Sequence, residues 1–187
     1  MIELPDHRLP KTRIFGVEAW HSPLALWVID HVLSALKPAR IVELGTGYGG
    51  LTAYLGMWAS VNGAHVLSID TIDTVPAALA KTLSTLPVCR EHRDIFDAET
   101  QDFLHLMIND PGAGPIFAYC DGGNKARELA LFSPSVPPGS VIGCHDWTTE
   151  VFPSQLEPFM EREGFARYVD PAALSSLYTL QAFWEKI

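Results

Sequence analysis

One short stretch constrains this chain more than any other. Arg40-Ile41-Val42-Glu43-Leu44 runs directly into Gly45-Thr46-Gly47-Tyr48-Gly49-Gly50. A short apolar run, a glycine turn and helix-compatible sequence beyond it read as strand, turn and helix. Glycines let the backbone approach a ligand closely, and a helix N-terminus offers free N–H groups to it. The turn satisfies G-x-G-x-x-G, and Asp70 follows twenty residues after Gly50. By itself this is also the dinucleotide fingerprint.

The rest of the chain repeats the alternation. Apolar runs at 40–44, 65–69, 88–92, 115–120, 140–144, 166–169 and 177–184 predict strands. Helix-compatible stretches lie at 23–36, 50–61, 76–86, 98–109, 124–133 and 153–164. Ser22 before Pro23 predicts a capped helix start. Near-continuous apolar runs separated by helices indicate parallel strands covered on both faces. The predicted fold is therefore α/β: a Rossmann-like, doubly wound sheet of about seven mostly parallel strands with helices on both faces. One domain spans 1–187, with an N-terminal segment and helix over 1–36 and the Rossmann-like core over 37–187. Residues 1–22 lack periodicity and are expected either to cover the site or to form homodimer contacts.

Composition excludes several classes. The net charge is −9, which opposes phosphate backbones and argues against a nucleic-acid partner. No apolar run reaches the roughly 18 residues that span a bilayer, and the start carries no signal-peptide pattern. The three cysteines lack zinc-type spacing. A reduced, cytoplasmic protein without membrane contact is expected.

In open α/β sheets the ligand lies beyond the carboxyl ends of the strands. The residues there are Glu43 to Gly50, Asp70, Asp94, Asp121 and His145-Asp146. Glu43, inside the apolar strand, suits a ligand with a cationic amino-acid end and sits awkwardly beside a pyrophosphate. The E-x-G-x-G-x-G pattern, with an acid closing the second strand, resembles the class I S-adenosylmethionine-dependent methyltransferases. That resemblance implies donor contacts from Glu43, Gly45, Thr46, Gly47, Gly49, Asp70 and Asp94, with Asp70 on the ribose hydroxyls and Asp94 on the adenine amino group. Asp121 joins this set after the fourth strand.

The chain from about Leu36 to Trp147 also resembles the metal-dependent small-molecule O-methyltransferases, the catechol O-methyltransferase type and the cephalosporin hydroxylase-like group. In those families an acid after strand four and a carboxylate-containing pair after strand five bind magnesium. The resemblance implies Asp121, His145 and Asp146 as metal ligands, with Mg or Mn as the divalent ion. His145 departs from the usual acid, and an imidazole suits manganese, iron or zinc better than magnesium. The family's base, Lys or His, stands three residues after the strand-four acid. Here Asn124 occupies that place and Lys125 follows it, so Lys125 and His145 are the two candidate bases.

The implied activity is methyl transfer from S-adenosylmethionine to a hydroxyl of a small molecule. Trp20, His21, Trp147 and Phe152 are candidates for the acceptor wall. The alternatives are an NAD(P)-binding oxidoreductase and a non-catalytic cofactor-binding module.

Overall fold

The computed structural model describes residues 11–108, 114–177 and 179–187. Seven strands form one sheet: β3 (Arg40–Leu44), β4 (His65–Asp70), β5 (Val88–His92), β6 (Ile116–Cys120), β7 (Val141–His145), β8 (Phe165–Arg167) and β9 (Gln181–Lys186). Their order is β5-β4-β3-β6-β7-β9-β8. Strands β3 to β7 pair in parallel, while β9 runs antiparallel to both β7 and β8. The sheet is Rossmann-like and mostly parallel, as expected from the apolar runs.

Helices α1 (Pro23–Leu36), α2 (Gly50–Asn62), α3 (Ala77–Leu83), α4 (Ala98–Ile108), α5 (Lys125–Phe132), α6 (Pro153–Arg162) and α7 (Pro171–Ser176) connect the strands. Their apolar faces make two cores. One gathers Val42, Leu44, Leu104, Leu129, Ile142 and Trp184. The other gathers Ile29, Leu33, Ile41, Leu55, Phe117 and Phe183. Neighbouring residues of β3 and β6 thus face opposite cores, which is why these strands read as continuous apolar runs. Ser22 caps α1 by accepting from the Ala25 N–H at 3.1 Å.

The structure departs from the sequence expectations at the last strand and in the N-terminal segment. The last strand begins at Gln181 and not at 177, because the Leu177 and Thr179 N–H groups donate to carbonyls at the end of helix α7. Tyr178 within that expected strand, and Asn109 at the expected end of α4, lie outside the described residues. Residues 13–18 form a small hairpin, β1 (Arg13–Ile14) with β2 (Val17–Glu18), which no periodicity announced. Among the described residues, no helix is long and apolar enough to cross a membrane.

The order places a topological switch at β3: the chain leaves it toward β4 and β5, then returns on its other side through β6. A crevice opens above the carboxyl ends there.

Candidate active site

The glycine loop closes the crevice from below. Gly45 has φ of +100°, and a Cβ there would lie 2.6 Å from the Asp121 carbonyl and the Gly122 nitrogen. Only glycine lets the loop seat against the end of β6. Backbone bonds hold it there: Gly45 N–H donates to Ile69 O, and Asp121 N–H to Leu44 O, both at 2.8 Å. Asp70 braces the loop from the side, its Oδ2 accepting from the Gly47 N–H at 2.9 Å.

Glu43 is fully buried beneath the loop. Its Oε2 accepts from Thr52 at 2.6 Å and from Ser68 at 2.5 Å, and Ser68 in turn bonds Thr46 at 2.6 Å. Burial pushes its carboxyl up to about 8, against the lowering effect of Ser68 and Thr52. Its Oε1 has no hydrogen-bond partner among the described residues.

A cleft of about 250 Å³ lies on one side of the loop, lined by Gly45, Asp70, Arg93, Asp94, Ile95, Phe96, Gly122 and Glu128, among others. Asp94 forms a turn, accepting from the Phe96 N–H at 2.9 Å. Glu128 is buried and accepts from the Gly122 and Asn124 N–H groups, so it shapes the second glycine turn. Burial raises its pKa to about 7.

On the other side of Gly45 stands a polar cluster. His21, Asp121 and His145 each offer a ligand atom, all within 4.8 Å of one another. Asp121 Oδ1 is 3.4 Å from His145 Nδ1, and Asp121 Oδ2 is 3.7 Å from His21 Nε2. The two imidazole rings lie 4.3 Å apart between centroids. Burial pushes the Asp121 carboxyl up, but the hydrogen bond from His145 and the charges of both imidazoles and Lys125 bring it below its ordinary value. Burial lowers the pKa of His21 despite the Asp121 charge.

Lys125 and Asp146 arrive differently. Lys125 Nζ lies 2.9 Å from Asp146 Oδ2 and 2.9 Å from Glu150 Oε2, and donates to Gly122 O at 3.0 Å. Burial alone would lower its pKa, yet Asp146 and Glu150 raise it well above the ordinary lysine range. In this arrangement Lys125 is a cation tying the second glycine turn to the 146–150 loop. Asp146 keeps Oδ1 toward the cluster, 3.5 Å from His145 Nδ1.

His21 is the member that sequence reasoning placed only as a pocket wall. No strand carries it. The hairpin does: Thr12 N–H donates to His21 O, and Ala19 N–H to Thr12 O. Trp20 beside His21 and Asp146 beside His145 both adopt left-handed φ, +58° and +55°. Such backbone conformations are held only where surrounding structure enforces them. The other expected wall residues divide. Trp147 packs edge-on to Trp184 in the core, whereas Trp20 and Phe152 are exposed. Trp20 stacks on Tyr48 of the glycine loop at 6.2 Å.

The family described as Rhamnosyl O-methyltransferase/CmcI matches residues 7–86. Rhamnosyl O-methyltransferases of Mycobacterium tuberculosis and Mycobacterium bovis are 39% identical over 146 residues, covering 73% of this chain and 57% of theirs. The chain is a relative of the rhamnosyl O-methyltransferase/CmcI group. It spans little more than half the length of these curated relatives. An apo-structure of CmcI superposes with a TM-score of 0.71 at 18% identity, covering 94% of this chain and 76% of that one. CmcI with Mg and SAM gives 0.69 at 19% identity, with the same coverage. MycE methyltransferase from the mycinamycin pathway, in complex with Mg and SAH, gives 0.55 at 17% identity, covering 86% of this chain and 49% of that one. These structures share the fold of this chain.

Proposed function

We propose that this CmcI-group relative transfers a methyl group from S-adenosylmethionine to a hydroxyl of a small molecule. The observation that carries the reading is the placement of Asp121-Gly122. Its backbone touches Gly45 of the glycine loop, and the Asp121 side chain lies between two imidazoles. A donor groove and a polar reaction cluster thus share one peptide.

The donor's sulfonium supplies an electrophilic methyl group when bound. Asp70, Asp94 and Ile95 line the cleft that fits its nucleoside end. A bound ammonium would favour the ionised form of Glu43, whose Oε1 is the oxygen left to accept from it. Thr46, Gly47 and Gly49 hold the loop between these two ends. Alignment of donor and acceptor is worth roughly 7–11 kcal/mol in well-oriented systems, and the loop's close seating on β6 is what fixes that alignment here.

The donor set also fits a divalent ion. Asp121 and His145 would hold it, with Asp146 Oδ1 beside them, and a bound ion would lower the pKa of an acceptor hydroxyl. The tied ammonium of Lys125 has no lone pair to take a proton. Of the two expected bases, His145 is the one able to accept it where no ion is bound; with an ion bound, its lone pair is taken and the ion itself lowers the hydroxyl's pKa. The relatives' names make rhamnosyl hydroxyls the first acceptor class to assay, and Trp20, with the Lys11 ammonium over its ring, stacks with Tyr48 beside the loop.

Equilibrium titration with S-adenosylmethionine, S-adenosylhomocysteine and NAD(P)H tests the donor. Tight NAD(P)H binding without affinity for the sulfonium donor would overturn the reading. Transfer of a labelled methyl group to rhamnosides, with and without EDTA, tests the acceptor and the ion.

A further inference from the structure

We propose that His21 is a metal ligand, and that His21, Asp121 and His145 together form a site for a first-row transition ion in place of magnesium. This rests on the metal-assisted reading above for Asp121 and His145, and extends it to a residue outside the sheet.

The tautomer of His21 argues for it. His21 Nδ1 lies 2.6 Å from the Ala19 carbonyl oxygen. A carbonyl only accepts, so Nδ1 carries the proton and Nε2 keeps a bare lone pair. That lone pair faces the cluster, 3.7 Å from Asp121 Oδ2. Metal-bound histidines show this pattern, one ring nitrogen donating to a carbonyl while the other is free for the ion. The nearest polar group to Nε2 is otherwise the Tyr119 hydroxyl at 3.4 Å, at the far limit of a hydrogen bond. That hydroxyl is itself positioned by Gln181, which donates to it at 2.8 Å. His21 is fully buried. Among the described residues its Nε2 is held by that one long bond from Tyr119, which coordination to an ion would displace.

Donor chemistry selects the ion. Magnesium demands oxygen ligands in near-octahedral array, whereas imidazole suits manganese, iron, cobalt and zinc. Two of the three convergent donors are imidazoles. Asp146 Oδ2 bonds Lys125, so that residue has only Oδ1 to turn toward the cluster. The convergent set is two histidines and Asp121, with a single Asp146 oxygen beside it. One CmcI structure and the MycE structure named above were solved with Mg.

The hairpin makes the site dependent on the N-terminal segment. A Cβ on Gly50 would run into Glu18 O and Ala19. The last glycine of the loop therefore admits the segment that presents His21, a role separate from ligand contact.

The test uses the full chain loaded with Mn(II). Pulsed EPR is expected to show two coupled imidazole nitrogens in the wild type and one in His21→Gln. Titration should show Mn(II) and Co(II) binding weakened at least about tenfold by His21→Gln, with Mg(II) binding unchanged. One imidazole or none in the wild type overturns the proposal, as does equal Mn(II) affinity in the folded variant. If His21→Gln does not fold, the wild-type spectrum alone decides. S-adenosylhomocysteine binding is measured in parallel on the wild type. Its failure beside an intact two-imidazole signal would overturn the donor reading and leave the metal site standing.

Discussion

At the scale of single residues, Glu43 and Gly45 do different work under one loop. Glu43 is fully buried, and its pKa is raised to about 8 from 4.5. The folded state therefore holds a proton that the unfolded state releases, so stability should fall as pH rises from about 4.5 toward 8. Chemical denaturation across this range is expected to show that fall in the wild type. In Glu43→Gln the part of it due to Glu43 should be absent. Gly45 fails differently when changed. Alanine there meets backbone, which cannot swing aside, and also sits at a strained φ. Gly45→Ala is expected to cost roughly 2–4 kcal/mol, read from urea midpoints, and to abolish S-adenosylhomocysteine binding. Both residues stood out in the sequence because an acid inside an apolar strand and a glycine directly after it are unusual. Their partners Ser68 and Thr52 carried no such mark, and nothing local showed that the peptide of Asp121 packs on Gly45.

At the scale of elements, loops and the hairpin decide the reaction cluster. Lys125, at the start of α5, binds Asp146 and Glu150 across a gap of more than twenty residues. Its partners are partly exposed, so the pair is worth less than a fully buried one. Lys125→Met should destabilise by about 1–2 kcal/mol and loosen residues 146–151, seen as faster amide exchange there. Measurable methyl transfer should survive in Lys125→Met, whereas a general-base lysine would take the activity with it. The β1–β2 hairpin is the second such element. Gly50→Ala should lift it from α2 and make residues 11–22 cleavable by protease while the sheet stays intact. Sequence periodicity could not reveal this hairpin. Each strand has two residues, too few for alternation to register.

At the scale of the whole molecule, the sheet order explains why the site is where it is. Strands β3 and β6 adjoin at the switch, and each is covered on both faces. Their amides should exchange most slowly, with the outer strands β5 and β8 opening first, as hydrogen-exchange mass spectrometry would show. Rapid exchange in β6 alongside protected β5 would contradict this layering. The antiparallel β9 also shows where sequence reading stopped. Its apolar run was legible, but the Leu177 and Thr179 N–H groups close the end of helix α7, so the strand starts only at Gln181.

The sequence by itself determined the alternation of strands and helices, the glycine turn, and the polar residues at the strand ends. These depend on local spacing, which a chain carries in its order. Tertiary structure alone decided that His21 joins Asp121 and His145, that Lys125 is bound as a cation, and that Asp146 is divided between Lys125 and the cluster. Those outcomes depend on contacts between residues up to about a hundred positions apart. Only the sheet topology and the seating of the hairpin on α2 bring such residues within bonding distance.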